Sequence, residues 1–381
     1  MTNRNGPGKT RAIRVAALLA AVALVAACAA GPAAPIDQST AVPSSAALPS
    51  SGSYVSGRPA SSSAASAVCF DRRPSWVEQA TKTQDGIPDP TGRIVFGQEL
   101  RQDEILGQVV GPLFAIDPDG SDLVQILGCE VERPRLSPDG RRLAFSIALD
   151  NRTWQVATSA VDGSDLQILT RTPGFAEMPD WGPDGSWLIY ALSDDPCVTC
   201  PNFHETLWRM KSDGSDQRQV GDPKAFDGEP RLSPDGREVV VMRVDPSKPA
   251  PDGGPSAIIA TYDLETGVAR QVTADDQVPE HPDWSRDGRS IVYNTYWEAG
   301  GLEQVKRVPA NDPTAAPVVL YGDHGHDGFK PAYSPDGSRI VFGCGAAMCL
   351  MNADGSHVDK LLVAPGVQLN HFTWGVSKPA G

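Results

Sequence analysis

The sequence predicts an all-β fold, a six-bladed β-propeller of four-stranded antiparallel blades closed by pairing of the C-terminal strand with the first blade. Three observations carry this. A five-residue phrase returns along the chain: LSPDG at 136–140, WGPDG at 181–185, LSPDG at 232–236, WSRDG at 284–288 and YSPDG at 333–337. Successive copies lie 45 to 52 residues apart, the period of one propeller blade. Each copy is followed by an alternating apolar stretch, the mark of a β-strand with a buried face.

The elements of one repeat follow in order. The first strand carries a proline two positions before the Trp, Leu or Tyr: Pro134, Pro179, Pro230, Pro282 and Pro331. Ser-Pro-Asp-Gly then supplies a fixed φ, an Asp that bonds its own backbone and a Gly for a left-handed position, so it reads as a hairpin turn. Its Asp residues are turn formers rather than acids or ligands. The second strand presents Leu143/Phe145, Leu188/Tyr190, Val239/Val241, Ile291/Tyr293 and Ile340/Phe342. A third strand ends in a second turn, as in AIDPDGSD at 115–122, AVDGSD at 160–165, KSDGSD at 211–216 and NADGSH at 352–357, and a fourth follows, as in LQILT at 166–170. A four-stranded meander cannot bury both faces alone, so the repeats must stack around an axis.

The two ends set the count. GRIVFG at 92–97 looks like a second strand lacking its first, and HFTWG at 371–375 looks like a first strand with nothing after it. Trp374 stands where Trp181 and Trp284 stand in their repeats. Joining the two completes a ring and removes an exposed sheet edge.

Ahead of the repeats, residues 1–27 read as a signal peptide. Arg4, Lys9, Arg11 and Arg14 form a basic region, residues 15–25 are apolar but too few to span a membrane, and VAAC at 25–28 resembles a bacterial lipobox. That resemblance implies lipidation of Cys28 with diacylglycerol, a palmitate-type membrane anchor, and an extracytoplasmic envelope location reached by general secretion. Residues 28–68, rich in Ala, Pro, Ser and Gly, cannot bury enough surface to fold and read as a tether with a reach of roughly 35 Å. Residues 69–91 read as a segment packing on the propeller, 92–375 as the propeller and 376–381 as a tail.

The repeat as a whole, a proline before Trp-Ser-Pro-Asp-Gly, a hydrophobic strand, an Asp-Gly turn and a final Leu-Thr, resembles that of the TolB-like propellers of the bacterial Tol-Pal system. The resemblance implies a periplasmic binding body. It further implies that a peptide, such as a segment of the peptidoglycan-associated lipoprotein, enters at the channel mouth. Such proteins carry an additional N-terminal α/β domain, whereas here only residues 69–90 separate tether from propeller.

Removal of the leader leaves 29 Lys+Arg against 47 Asp+Glu, moving the formal net charge from −14 to −18. Nucleic acid and direct adhesion to anionic lipid are disfavoured. Six cysteines remain of the seven once Cys28 is lipidated, an even number suited to disulfides in an oxidising compartment. The expected pairs are Cys344–Cys349 across a hairpin, Cys197–Cys200 within a Pro-bounded insertion, and Cys69–Cys129.

One position per repeat escapes repetition. Just before the first-strand proline, or its counterpart Phe372, stand Arg133, Met178, Glu229, His281, Lys330 and His371, with Glu132, Glu177 and Glu280 one step earlier. This column, on the face carrying the variable loops, is the expected recognition surface at the channel mouth. Four of the six histidines, His281, His324, His326 and His371, fall on that face near Asp323, Asp327 and Glu280 and are a candidate divalent-metal set. No G-x-S-x-G, P-loop or dinucleotide fingerprint is present. DPDGSD has Gly128 where a calcium loop needs its Glu.

Two readings stand. The first is a lipid-anchored propeller that binds an envelope protein or cell-wall component, with no cofactor. The alternative is a metal-assisted polysaccharide lyase or hydrolase, in which Lys330 or Arg133 faces a uronate carboxylate and Glu229 or Glu280 acts as base.

Overall fold

The computed structural model describes residues 74–82, 92–99, 101–102, 109–149, 153–195, 204–249, 255–274, 278–295, 303–322 and 326–376. Cys28, Cys69, Cys197, Cys200 and His324 lie outside them. The architecture is all-β, built from antiparallel meanders. Two stand as separate four-stranded sheets, one from Phe226–Leu232 to Ala269–Gln271 and one from Pro279–Trp284 to Val318–Tyr321.

A third meander, from Gly328–Tyr333 to Asp359–Val363, gains a fifth strand because Thr81–Lys82 pairs antiparallel with its outer edge. The remaining strands form one twelve-stranded sheet rather than isolated four-stranded units. The reason is local. Val124–Leu136 is a single thirteen-residue strand whose first half pairs backward with Val109–Ile116 and whose second half pairs forward with Arg142–Ala148. One parallel bridge, Trp154 to Phe175, joins the next meander.

The two ends of the chain meet. Leu369–Gly375 pairs antiparallel with Arg93–Gln98, with Trp374 opposite Ile94. A cluster of Ile94, Phe96, Phe114 and Trp374 with Phe329, Val341, Leu361 and Leu362 fills this seam. The four-residue helix Trp76–Gln79 caps it. Trp76 is 5% exposed, packs edge-to-face on Phe114 with ring centroids 5.0 Å apart and donates from Nε1 to Gln98 at 2.8 Å. A buried Trp requires such a partner for its N–H.

The hairpin turns behave as their residues dictate. Gly140, Gly185, Gly236, Gly288 and Gly337 all have φ between 66° and 74°, and in each turn the Asp carboxylate caps a nearby backbone N–H or hydroxyl, as Asp139 does for Ser137 Oγ at 2.7 Å and Arg141 N at 3.1 Å. The second strands are buried on both faces, not one. Ala144, Ile189, Val240, Val292 and Val341, opposite in direction to the alternating set, are all fully buried, because each sheet is packed between two neighbours.

Candidate functional site

The column before the first-strand proline has a backbone of its own. Arg133, Met178, Glu229, His281, Lys330 and His371 all sit in the left-handed region, with φ from 51° to 60°. At each, the ladder with the second strand skips a step: between Glu132 and Arg135, Glu177 and Asp180, Gly228 and Arg231, Glu280 and Asp283, Phe329 and Ala332, and Asn370 and Thr373. Two residues therefore oppose one, which is a β-bulge. A following proline bars its predecessor from the right-handed helical region, but His371, followed by Phe372, adopts the same conformation, so the bulge itself and not the proline sets it. Each non-glycine residue held there costs about 1–2 kcal/mol.

A bulge removes an N–H from the ladder, and a buried N–H must find an acceptor. The preceding meander supplies it. Met178 N donates to Ser146 Oγ at 2.9 Å, Glu229 N to Met178 Sδ at 3.2 Å, His281 N to Glu229 Oε2 and Lys330 N to Asn294 Oδ1 at 3.0 Å. Met178 and Glu229 thus serve as both bulge and acceptor.

The side chains of this column converge. Arg133 Nη1 donates to Glu229 Oε1 at 2.5 Å, and Arg133 Nε lies 3.6 Å from Glu132. His281 Nδ1 is 2.7 Å from Glu229 Oε1. Lys330 Nζ is 3.1 Å from His371 Nε2, which is itself 3.7 Å from Glu132. The His281 and His371 rings are 6.2 Å apart. Glu132, Arg133, Glu177, Glu229, Lys330 and His371 are all buried, while His281 and Glu280 are half-buried.

Electrostatics follow from that burial. Burial disfavours the Arg133 cation, but Glu229, Glu132 and Glu177 outweigh it and raise its pKa further. Burial likewise opposes ionisation of Glu229, yet the charges around it hold its carboxyl well below the usual carboxylate range. His281 is pushed down to about 3, first by burial and then by Lys330 and Arg133, against the pull of Glu229. At neutral pH His281 is therefore uncharged, and Arg133 is the partner that keeps Glu229 ionised.

One step further along the strand, the residue after the proline forms a second column that sequence reasoning missed: Arg135, Asp180, Arg231, Asp283, Ala332 and Thr373. Asp180 Oδ2 accepts Leu232 N at 2.8 Å, and Asp283 Oδ2 accepts Tyr333 N at 2.9 Å. Each ties one meander to the next. Trp181 and Trp284 add reciprocal bonds, donating from Nε1 to the carbonyls of Arg135 and Arg231 at 3.1 Å. Burial raises both aspartates, Asp180 to about 6, with Arg135 opposing. In the sequence this column shows only as the residue after the proline or its counterpart, Arg or Asp in four repeats and Ala332 and Thr373 in the others.

Between the columns lies a cavity of about 20 Å³ lined by Arg133, Arg135, Arg231, His281, Lys330 and His371, together with Pro134, Pro331 and Phe372. That volume holds about one water molecule. Of the metal candidates, His281 and His371 are close together, whereas His326 is exposed and packs beside Tyr321. Among the described residues no group of three or more His, Cys, Asp or Glu is placed to hold a metal ion. The Lys330 ammonium, 3.1 Å from His371, makes the pair a poor cation site. Cys344 and Cys349 are bridged, and Cys129 is disulfide-bonded.

No family model matches the chain. An uncharacterized protein of Agrobacterium fabrum is 23% identical over 164 residues, covering 42% of this chain and 53% of the relative. A Tol-Pal system protein TolB of Anaeromyxobacter dehalogenans is 29% identical over 120 residues, covering 30% of this chain and 26% of the relative. The chain thus spans about half and about a quarter of these relatives. Among solved structures, TolB from Acinetobacter baumannii superposes with a TM-score of 0.59 at 19% identity, covering 76% of this chain and 68% of that one. The fold is that of the TolB-like propellers. A putative TolB from Agrobacterium tumefaciens, with a TM-score of 0.50 at 18% identity, covers 72% of this chain and 89% of that one. Hydrazine synthase of Kuenenia stuttgartiensis superposes as well, with a TM-score of 0.60 at 15% identity, over 76% of this chain and 47% of that one. One fold hosts unrelated activities, so function must be argued from the site.

Proposed function

We propose that this TolB-like propeller is a six-bladed, lipid-anchored envelope protein that binds an envelope protein or a cell-wall component at the mouth of its channel. The observation carrying the reading is the bulged column. A fold that repeats its turns, prolines and tryptophans places Arg133, Met178, Glu229, His281, Lys330 and His371 at equivalent positions, so the variation there is not dictated by the scaffold. Similarity to TolB proteins supports an envelope role, and the leader with Cys28 supports anchoring. Among the described residues no helix is long and apolar enough to cross a membrane.

His281, Lys330 and His371 are packed into the same network as Arg133 and Glu229, so replacing all three together would cost stability. Lys330→Met is the gentler probe, since Met178 shows that Met fits this position. Purified protein retained on isolated cell-wall fragments or on a solubilised envelope fraction, with retention lost in Lys330→Met at an unchanged melting temperature, supports binding at the mouth. Equal retention by both proteins refutes it. Cys28→Ser is expected to move the protein from membrane to soluble fractions, and its remaining with the membrane contradicts the anchor.

A further inference from the structure

We propose that the channel cavity is a binding site for one small anion, a halide or a single carboxylate group, held by Arg135 and Arg231. The cavity is lined by the guanidinium-bearing residues Arg133, Arg135 and Arg231, by Lys330 and by His281 and His371, and no Asp or Glu is among its lining residues. This is the reverse of the chain as a whole, with its formal charge of −14. The cations there are not equally occupied. Arg133 is paired with Glu229 and Glu132. Arg231 is 5% exposed, spends Nη1 on the carbonyl of its neighbour Pro230 at 2.7 Å, and leaves Nε buried without an acceptor. Arg135 also leaves Nε buried without an acceptor.

A buried donor left unmade costs about 1–3 kcal/mol, more when charged. Asp180 and Asp283 act on Arg135 through charge, but neither accepts a hydrogen bond from its Nε. Asp180 and Asp283 direct Oδ2 to the backbone of the next meander, and Glu229 serves Arg133 and the amide of His281. The natural complement of two buried guanidinium N–H groups on residues that line one cavity is an acceptor that carries negative charge.

Size restricts the ligand. About 20 Å³ admits one water-sized group, enough for a halide or the head of a carboxylate whose remainder lies outside, and too little for a sugar ring. The carboxylate source deepens the binding role proposed above and rests on it, for an acidic side chain or a chain terminus of the partner would supply the group. The halide source needs no partner. Titratable or charged groups on the wall are Arg133, Arg135, Arg231, Lys330, His281 and His371, and behind them Glu132 and Glu229 act on Arg133 and Asp180 and Asp283 on Arg135. Of these Asp180 changes charge near pH 6, so anion binding strengthens as pH falls through that value.

The test uses the mature protein. Crystals soaked in bromide are expected to show one anomalous peak inside the cavity, within hydrogen-bond reach of Arg135 and Arg231. In solution, acetate and bromide are expected to raise the melting temperature saturably, and sulfate, too large for the cavity, is not. Arg231→Met weakens this response at least about tenfold, the loss of one charge-assisted hydrogen bond, and Arg231→Lys, which keeps the charge, retains part of it. Bromide peaks confined to the outer surface, or an equal response to all three salts in wild type and both variants, overturn the anion site. A bromide peak in the cavity with no response to acetate removes the carboxylate source alone. Failure to retain wall or envelope material leaves the bromide result standing and strikes only at the partner.

Discussion

Glu229→Gln isolates the buried ion pair around which the channel is built. Glu229 is 2% exposed and Arg133 4% exposed, and the carboxylate accepts both Arg133 Nη1 and the bulged amide of His281. Neutralising it strands a guanidinium that cannot reach water, a change that costs about 3–5 kcal/mol in comparable sites. Glu132 remains 3.6 Å from Arg133 Nε, and Gln still accepts from His281, so the lower end, about 3 kcal/mol, is expected. Replacing the cation as well, with Arg133→Met, removes the stranded charge. Met178 occupies the equivalent left-handed position at φ 60°, so Met is tolerated there. The double variant should regain at least about 1.5 kcal/mol relative to the sum of the singles, within the range found for contacting residues. Urea unfolding followed by tryptophan fluorescence reads all four species. A loss below about 1 kcal/mol for Glu229→Gln, or additive singles, would show that the channel is wet and refute the reasoning.

Further expectations follow from the same packing. Trp284→Phe deletes the indole N–H bonded to the Arg231 carbonyl and should cost about 1–2 kcal/mol, read by urea unfolding; no change would mean that the bond between meanders is idle. Gly140 and Gly185 have similar φ, 66° and 70°, but an added Cβ at Gly140 would meet Val376 O at 2.2 Å whereas at Gly185 the nearest atom is 3.8 Å away. Gly140→Ala should therefore be distinctly worse in thermal melts than Gly185→Ala, which carries only the left-handed cost of about 1–2 kcal/mol; equal losses would contradict the close approach. Asp180, raised by burial to about 6 from 3.8, binds its proton more tightly when folded than unfolded, so its contribution is greatest at low pH. Stability should fall by up to about 3 kcal/mol on this account as pH rises from about 4 through 6, and Asp180→Asn should reduce the slope, leaving the part due to Asp283, which burial also raises; an unchanged slope would assign it elsewhere.

The repeat was legible because turn chemistry and strand period agree at every copy. Asp139 and Gly140 each have one local job in the turn, and the structure assigns them those jobs. The meeting of the chain ends was legible from Trp374, whose equivalence to Trp181 and Trp284 marks 371–375 as a first strand. The continuous strand Val124–Leu136 was not, since nothing in VQILGCEVERPRL interrupts or announces a passage between sheets. The left-handed backbone of the bulged column was visible only as a residue before proline, a constraint that excludes one conformation without choosing among the others. Arg135 and Arg231 were overlooked because a single charged residue inside a strand reads as facing solvent unless the position is known to face a channel. The pairing of Lys330 with His371 depends on strands 41 residues apart in sequence, and no local pattern encodes it.

The central claim is that recognition occurs at the channel mouth and not at the opposite face of hairpin turns. It is tested most directly by placing a photoreactive side chain in intact cells at His326, exposed just ahead of the first strand Gly328–Tyr333, or at Asp162, exposed in a turn of the other face. A discrete cross-linked species from position 326 alone is the result this account predicts, and one from position 162 alone would contradict it.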